Sequence, residues 1–303
     1  MASVAPPNVS DVQARDWALA MSSVRRHMRE DRLSVAAGAF AYRWFLSLFP
    51  TVIALLAVAS LLSVPRDVTV KLVHGVSAAL PAGASGVLNE AITAAAERSH
   101  GSVVALVVAG AVALWSATSG MVMLEEGLDM AYEVATDRTF LAKRVVAVPL
   151  LAGATLLGGA ASGLVVFGPQ IGNAIRSAAP VGGPAFSALW NVLRWAVALL
   201  LVHVLFSYIY WLAPNAKTAW RWFSPGAAIA TVLWAATSLG FSFYTSSFGS
   251  YGQTYGAFAG VAVLIFWLFL TGVAVLLGGE VNAAFARQEA AGTYRGRDRE
   301  GTQ

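Results

Sequence analysis

The chain has 303 residues, 57% of them hydrophobic and only 12% charged, and its mean hydropathy is +0.65. Soluble domains carry about 25% charged residues, so this composition predicts a membrane protein rather than a set of soluble domains. The absence of cysteine from the sequence excludes disulfides, thiolate metal sites and cysteine nucleophiles.

Residues 1–33 are predicted to lie outside the membrane and to contain one amphipathic helix. Apolar residues recur there at helical spacing, and arginines take the opposite side of the same helix; the apolar set is Ala14, Trp17, Met21, Val24 and Met28. This pattern predicts either an interfacial helix on the membrane surface or a helix docked on the protein's own surface. Both alternatives stay open at this stage.

Six apolar stretches follow and predict an all-α, polytopic membrane domain over residues 34–286. About 20 apolar residues suffice to cross the hydrocarbon core. The predicted spans are 34–64, 101–124, 145–167, 185–212, 223–248 and 256–285, and Gly168-Pro169 is expected to end the third. Residues 65–100 are too polar to cross and predict an amphipathic helical hairpin on the outer side. Residues 287–303 are predicted to form a soluble tail.

The basic residues are distributed unequally between the two sides of this topology. The side that holds both termini carries 14 of the 20 lysines and arginines, the other side carries four, and two lie inside spans. Because cytoplasmic loops are enriched in Lys and Arg, both termini are predicted to be cytoplasmic. The basic charge is thereby explained by topology, and no nucleic-acid partner is predicted.

Ionised residues inside spans are costly and mark functional positions by default. Arg43 in the first span and Glu280 in the sixth lie at similar predicted depths, with Tyr42 and Asn282 beside them. The two charges form either a structural ion pair between helices or the polar lining of a substrate path. Arg194 in the fourth span either snorkels outward or binds an anionic group.

Three further polar features have structural interpretations. His203 is expected to hydrogen bond between helices. The acidic row Glu125, Glu126, Asp129 and Glu133 is expected to form a solvated helix end paired with neighbouring arginines. The uncharged connection 248–256, which contains Tyr251 and Tyr255, is expected either to re-enter the membrane or to cap it at the headgroup level, where tyrosine is favoured.

The sequence contains none of the common signatures of catalysis. A phosphate-binding G-x-x-x-x-G-K-[ST] loop, an H-E-x-x-H zinc motif and a G-x-S-x-G nucleophile elbow are all missing. We therefore predict no enzyme activity, no catalytic residue, no metal site and no cofactor.

Several segments resemble the YihY/virulence factor BrkB family of bacterial inner-membrane proteins. They are residues 41–50 (AYRWFLSLFP), 214–217 (PNAK), 220–222 (WRW), 225–227 (PGA), 248–256 (FGSYGQTYG) and 278–283 (GGEVNA). The resemblance covers roughly residues 30–287 and implies a location in the bacterial plasma (inner) membrane. Members of the family were formerly labelled ribonuclease BN, a label regarded as mistaken. Some are linked to serum resistance or to the movement of lipid A precursors or phospholipids.

The leading functional hypothesis is a transporter or flippase-like translocase for an anionic lipid or envelope precursor, with membrane lipids as partners. The candidate path residues are Tyr42, Arg43, Arg194, Tyr251, Tyr255, Glu280 and Asn282. The alternative is a membrane scaffold that organises envelope proteins without transport, for which a homo-oligomer or an envelope protein partner is expected. A membrane ribonuclease is the third and least favoured hypothesis.

Overall fold

The structure is a computed structural model that describes residues 12, 14–30, 33–61, 103–178, 184–216, 218–247 and 251–290. Within these ranges the chain is helical and contains no strand, which confirms the predicted all-α class. The helices are α1 (Ala14–Glu30), α2 (Leu33–Leu61), α3 (Val103–Ala131), α4 (Phe140–Gly153), α5 (Gly159–Ala178), α6 (Pro184–Leu212), α7 (Pro225–Ser247) and α8 (Tyr251–Ala290). A π-helical turn, Ala154–Gly158, joins α4 to α5.

Four helical segments of the described residues are long and apolar enough to cross a membrane. They are Phe140–Ala178, Ala185–Leu212, Pro225–Tyr244 and Val261–Glu289, and they correspond to the third to sixth predicted spans. Helices α2 and α3 cover the first two predicted spans with 29 residues each. The count of six crossings stays a prediction, and the predicted hairpin at 65–100 lies outside the described residues.

The prediction that Gly168-Pro169 ends the third span is wrong, because the helical segment runs on to Ala178. A proline inside a helix removes one backbone donor, so the carbonyl four residues earlier, that of Val165 for Pro169, loses its usual partner. The side-chain donors of α6 contact a different carbonyl, the one beside or on each proline. The indole Nε1 of Trp190 on α6 donates to the Gly168 carbonyl at 2.7 Å. The second internal proline, Pro149, has a similar partner, since the Tyr208 hydroxyl donates to its carbonyl at 2.9 Å.

The last helix begins earlier than predicted. Helix α8 starts at Tyr251, so the second half of the predicted 248–256 connection is helical. Residues 248–250 lie outside the description. Gly252 and Gly256 lower helix propensity by about 1 kcal/mol each, which forty continuous residues with a long apolar segment evidently outweigh. A helical backbone argues against a re-entrant loop over this stretch.

The chain divides into two compact units, and α3, α7 and α8 each contribute residues to both. The smaller unit contains residues 32–127 and 236–273. In it, α2 packs against the first half of α8 through a cluster of Ala41, Leu264 and Leu268. Close approach is possible because Gly272 has no side chain: a Cβ there would lie 2.9 Å from the Phe40 ring.

The larger unit contains residues 1–31, 128–235 and 274–303. Here α1 docks on the end of α8, where Ala20 and Val24 form one buried cluster with Val281, Ala284 and Phe285. Of the two alternatives left open by the sequence, the structure thus supports docking of the apolar face on the protein itself. Helices α4, α5 and α6 pack beside each other in the same unit.

Candidate functional site

Two predicted site residues of the smaller unit lie on the exposed side of α2. Tyr42 is 60% exposed and Arg43 is also exposed, whereas Phe40 and Ala41 are buried. The ring of Trp44 covers Gly120 of α3, where any side chain would collide with it. In this segment Trp44 therefore packs against α3, whereas Tyr42 and Arg43 face outward.

Glu280 is the most deeply buried carboxylate of the larger unit, with only 1% of its surface exposed. Its Oε2 lies 3.5 Å from Nη2 of Arg287, which is two helical turns further along α8. Arg287 also donates through Nη1 to the Ala131 carbonyl at 2.9 Å and contacts the Glu133 carboxylate at 3.2 Å. Glu280 thus has an intrahelical partner, and the predicted pair with Arg43 stays a prediction.

The end of α3 is shaped to reach this arginine. Glu133 has a φ of 51°, a left-handed conformation that ends the helical course and is uncommon for residues other than glycine. The preceding residue, Tyr132, brings a buried phenol to the same place, and burial raises the pKa of that phenol well above its ordinary value. Arg287 and Glu280 act on the Tyr132 phenol in opposite directions, the first lowering and the second raising its pKa.

Asn282, the second predicted polar residue of α8, joins α8 to the start of α7. Its Oδ1 accepts the Gly226 backbone N–H at 2.8 Å, and its Nδ2 donates to Ser224 Oγ at 3.1 Å. Ser224 is the N-cap of α7, since its Oγ also accepts the Ala227 N–H at 3.2 Å. Pro225 occupies the first helical position and has no N–H of its own. The next two backbone N–H groups of α7, those of Gly226 and Ala227, bond to the side chains of Asn282 and Ser224.

Helices α7 and α8 cross so closely that the backbone of one lies against the backbone of the other. A Cβ on Gly278 would lie 2.5 Å from the Gly226 carbonyl oxygen and 2.8 Å from Ala230 Cβ. The Tyr210 hydroxyl of α6 reaches the crossing as well and donates to the Val275 carbonyl at 2.7 Å. Two glycines are required at this crossing because no other residue leaves room for the carbonyls.

His203 makes the interhelical hydrogen bonds expected of it. Its Nε2 lies 3.0 Å from the Trp222 carbonyl, which can only accept, so that nitrogen carries the proton. Its Nδ1 lies 3.3 Å from the Thr231 hydroxyl, and its ring stacks on Phe223 with centroids 5.1 Å apart. His203 therefore ties α6 to the segment that precedes α7.

Arg194 lies on α6 beside α5 and is half-buried. Its Nε donates to Asn191 Oδ1 at 3.0 Å, and its guanidinium lies over the Trp195 ring at 5.8 Å. The aliphatic stem crosses Gly168, where a Cβ would stand 2.9 Å from Arg194 Cδ. One turn earlier on α6, Trp190 lies over Gly172 in the same way.

A second arginine, Arg176, stands near the end of α5. It donates through Nη2 to the Ser187 hydroxyl at 2.8 Å and lies 5.9 Å from the Phe186 ring. Ser187 and Arg194 are two turns apart on α6, about 10 Å. Among the described residues neither Arg176 nor Arg194 pairs with a carboxylate. Together they form an arginine–aromatic stripe along α5 and α6.

The acidic row after the second predicted span is only partly solvated. Glu125 is fully buried, so the expectation of a solvated helix end is wrong for that residue. Further on, Asp137 accepts from the Lys143 ammonium at 2.8 Å, and this hydrogen bond holds the pKa of the exposed carboxyl below its ordinary value. Among the described residues, no group of three or more His, Asp or Glu could hold a metal ion.

In the larger unit, hydrogen bonds join the end of α3 and the loop that follows it to the loop that follows α6. Asp129 Oδ1 accepts the Asn215 backbone N–H at 2.6 Å. Arg138 donates to the carbonyls of Ala213 and Pro214, which follow the end of α6. Burial raises the pKa of the Asp129 carboxyl, although the hydrogen bond from Asn215 acts in the opposite direction.

The structure thus brings Glu280 and Asn282 to one polar region at the end of α8, and it places Arg194 in the stripe along α6. Tyr251 and Tyr255 have helical backbone, and their side chains lie outside the description. Arg287 and Tyr132 were missed by the sequence analysis. A recognisable signal existed for Arg287, since residues seven apart lie on one helical face.

Several apolar helices around a polar interior define a multi-pass helical membrane protein. The chain belongs to the family described as Virulence factor BrkB, whose model matches residues 24–302. This confirms the resemblance seen in the sequence.

Similar proteins come from Bacillus and Vibrio species. The ribonuclease-like protein YfkH of Bacillus subtilis is 33% identical over 251 residues, which are 82% of this chain and 88% of that protein. A UPF0761 membrane protein of Vibrio campbellii is 29% identical over 272 residues, covering 87% of this chain and 81% of the relative. No solved structure shows a significant match.

Proposed function

We propose that this protein translocates an anionic lipid or lipid-linked envelope precursor across the bacterial inner membrane. The observation that carries the proposal is the arginine–aromatic stripe. Arg176 and Arg194 are held by Ser187, Asn191 and aromatic rings, and carboxylates take no part in it among the described residues. Their positive charges remain uncompensated and suit an anionic headgroup that moves along α6.

The depth of the two arginines supports a path rather than a single surface site. Arg176 follows the apolar part of α5, and Arg194 lies ten residues into α6. An arginine within a span is costly unless it faces water, a polar partner or an anion. Because glycines receive the stem of Arg194 and the ring of Trp190, both side chains lie along the helix surface. A phosphate would find charge-assisted donors at two successive levels.

The test is lipid movement in vesicles that contain the full-length protein. Vesicles carrying headgroup-labelled phosphatidylglycerol or phosphatidylcholine are compared with protein-free vesicles by the fraction of label that a membrane-impermeant quencher reaches. We expect phosphatidylglycerol to become fully accessible and phosphatidylcholine to exchange less. Arg194→Gln should slow the exchange several-fold, whereas Arg25→Gln, on exposed α1 surface, should not. Movement equal to that in protein-free vesicles would refute the proposal.

The other predicted path residues are tested in the same assay. Arg43→Ala and Glu280→Ala are expected to lose activity while the protein still inserts into the membrane. Unchanged activity in both variants would make the two residues structural only.

The scaffold hypothesis and the nuclease hypothesis have separate tests. Co-purification of a fixed envelope protein together with absent lipid movement would favour a scaffold. The name of the Bacillus subtilis relative refers to ribonucleases, and we expect purified protein at stoichiometric amounts to leave RNA intact.

A further inference from the structure

At the end of α6 opposite the arginine–aromatic stripe, the chain forms a small polar pocket. Its empty space is about 210 Å³, part of which is open to solvent. Side chains of α6, of the connection to α7 and of α8 line it; those that matter here are Ser207, Tyr210, Thr218, Arg221, Ser224 and Asn282.

Most hydroxyl hydrogens of the pocket are already committed. The Ser207 hydroxyl donates to the Trp222 carbonyl at 3.1 Å, and the Thr218 hydroxyl donates to the Trp211 carbonyl at 3.0 Å. Ser224 differs, because its Oγ accepts two hydrogen bonds, from Ala227 N and Asn282 Nδ2. A hydroxyl that accepts twice has its own hydrogen left to donate. The pocket therefore offers a donor to a ligand.

Arg221 adds positive charge at the same place. It is half-buried, and among the described residues it has neither a carboxylate within ion-pair distance nor a hydrogen-bond acceptor. A guanidinium has five N–H donors and no acceptor. An uncommitted guanidinium beside an uncommitted serine hydroxyl selects a ligand that carries several acceptor oxygens and negative charge, as a phosphate does.

Aromatic side chains indicate the depth of the pocket relative to the bilayer. Trp211, Trp220 and Trp222 contact each other edge to face, with centroids 5.6 and 5.0 Å apart. Trp222 is 59% exposed and Phe223 is 56% exposed. Tryptophan clusters at the ends of membrane spans lie at the headgroup level. The phosphates of lipids lie at the same level, so a lipid is the source of phosphate that fits this position.

We propose that the Arg221 pocket binds the phosphate of an anionic phospholipid at the membrane surface where α6 ends. The proposal rests on the proposed function for the class of lipid and deepens it, because it adds a headgroup site at the end of α6 opposite Arg176. Binding is measurable without transport, so the two proposals can fail separately.

The test is native mass spectrometry of the full-length protein in detergent, titrated with phosphatidylglycerol, phosphatidylcholine or inorganic phosphate. Wild type is expected to retain phosphatidylglycerol in preference to phosphatidylcholine. Arg221→Gln should weaken phosphatidylglycerol binding by about tenfold, since one charge-assisted contact is lost. It should weaken phosphatidylcholine binding less, because the choline cation already offsets the charge of that lipid's phosphate. Arg221→Lys should lie between the two because it keeps the charge without the paired donors.

Arg25→Gln is the matched control, because it removes the same charge from the exposed surface of α1 and Arg25 is not among the residues that line the pocket. Equal phosphatidylglycerol affinity in wild type and Arg221→Gln, with equal melting temperatures, would overturn the proposal. Inorganic phosphate binding as tightly as the lipid would also overturn it and assign a free-phosphate site. Loss of lipid binding in Arg221→Gln, together with absent lipid movement in wild-type vesicles, would uphold the pocket and reject translocation.

Discussion

The crossing of α7 and α8 provides the sharpest structural prediction, the substitution Gly278→Ala. Gly278 faces the Gly226 carbonyl, and a Cβ at position 278 would lie 2.5 Å from that oxygen. It would also lie 2.8 Å from Ala230 Cβ and collide with the Tyr210 hydroxyl. Since ordinary contact begins near 3.4 Å, the backbones must separate by about 1 Å.

The expected cost is the sum of two opposing effects. Overpacking of this kind costs typically about 1–3 kcal/mol, and a carbonyl oxygen cannot rotate away as a flexible side chain can. Alanine regains about 1 kcal/mol of helix propensity. The net loss is therefore about 1 kcal/mol, which corresponds to a melting temperature lower by roughly 2–4 °C. The displacement also reaches Asn282, one turn further on, whose Oδ1 accepts the Gly226 N–H.

The measurement is thermal unfolding of purified protein in detergent, followed by the fraction that remains monodisperse on size exclusion. Gly163→Ala is the matched control, because Gly163 also lies in a membrane helix but has no atom within 4 Å of an added Cβ. That control is expected to melt at or slightly above the wild-type temperature. If Gly278→Ala melts like the control, the close crossing is absent and the reasoning about Asn282 fails with it.

Three further predictions use the same unfolding measurement. Glu280→Gln and Arg287→Gln should each lower the free energy of unfolding by about 3–5 kcal/mol, and the double variant should lower it by less than the sum. Additive losses would show that the two residues do not form a pair. Asn282→Ala leaves the buried Gly226 N–H without its acceptor and should cost about 1–3 kcal/mol; an unchanged melting temperature would contradict the cap. Burial raises the pKa of the Asp129 carboxyl in the folded state above its ordinary value of 3.8. The protonated carboxyl therefore stabilises the fold at low pH, and this contribution is lost as the pH rises through the raised pKa. Asp129→Asn should therefore remove this fall in stability, which begins near pH 3.8 and is complete above the raised pKa, and an unchanged pH profile would contradict it.

The helices of this protein could be predicted from hydropathy because an apolar run of sufficient length has few alternatives in a membrane. Hydropathy reports where the apolar surface ends, however, and not where the helix ends. Residue 285 closes the apolar run, so Arg287 was assigned to the tail, although α8 continues to Ala290. The partner of Glu280 was missed for this reason alone.

Local rules failed where contacts with a neighbouring helix favour a helix that the isolated segment would end. Gly168-Pro169 is a sound stop signal for an isolated helix, because Pro169 has no N–H to donate. In the folded chain the Trp190 indole donates to the Gly168 carbonyl, and the absent side chain of Gly168 makes room for Arg194. The sequence of α5 alone contains no information about either contact.

The balance of charge in the larger unit argues for an anionic ligand independently of any single contact. Of its carboxylates, the buried Glu280 lies against Arg287, and the exposed Asp137 lies against Lys143. By contrast, three arginines at the two ends of α6 have no carboxylate partner among the described residues, namely Arg176, Arg194 and Arg221. If the three arginines served only to hold helices together, we would expect them to have carboxylate partners, just as Glu280 and Asp137 have basic partners. Their solvation must come from water or from an anion, and within a span an anion stabilises them more than hydrocarbon can.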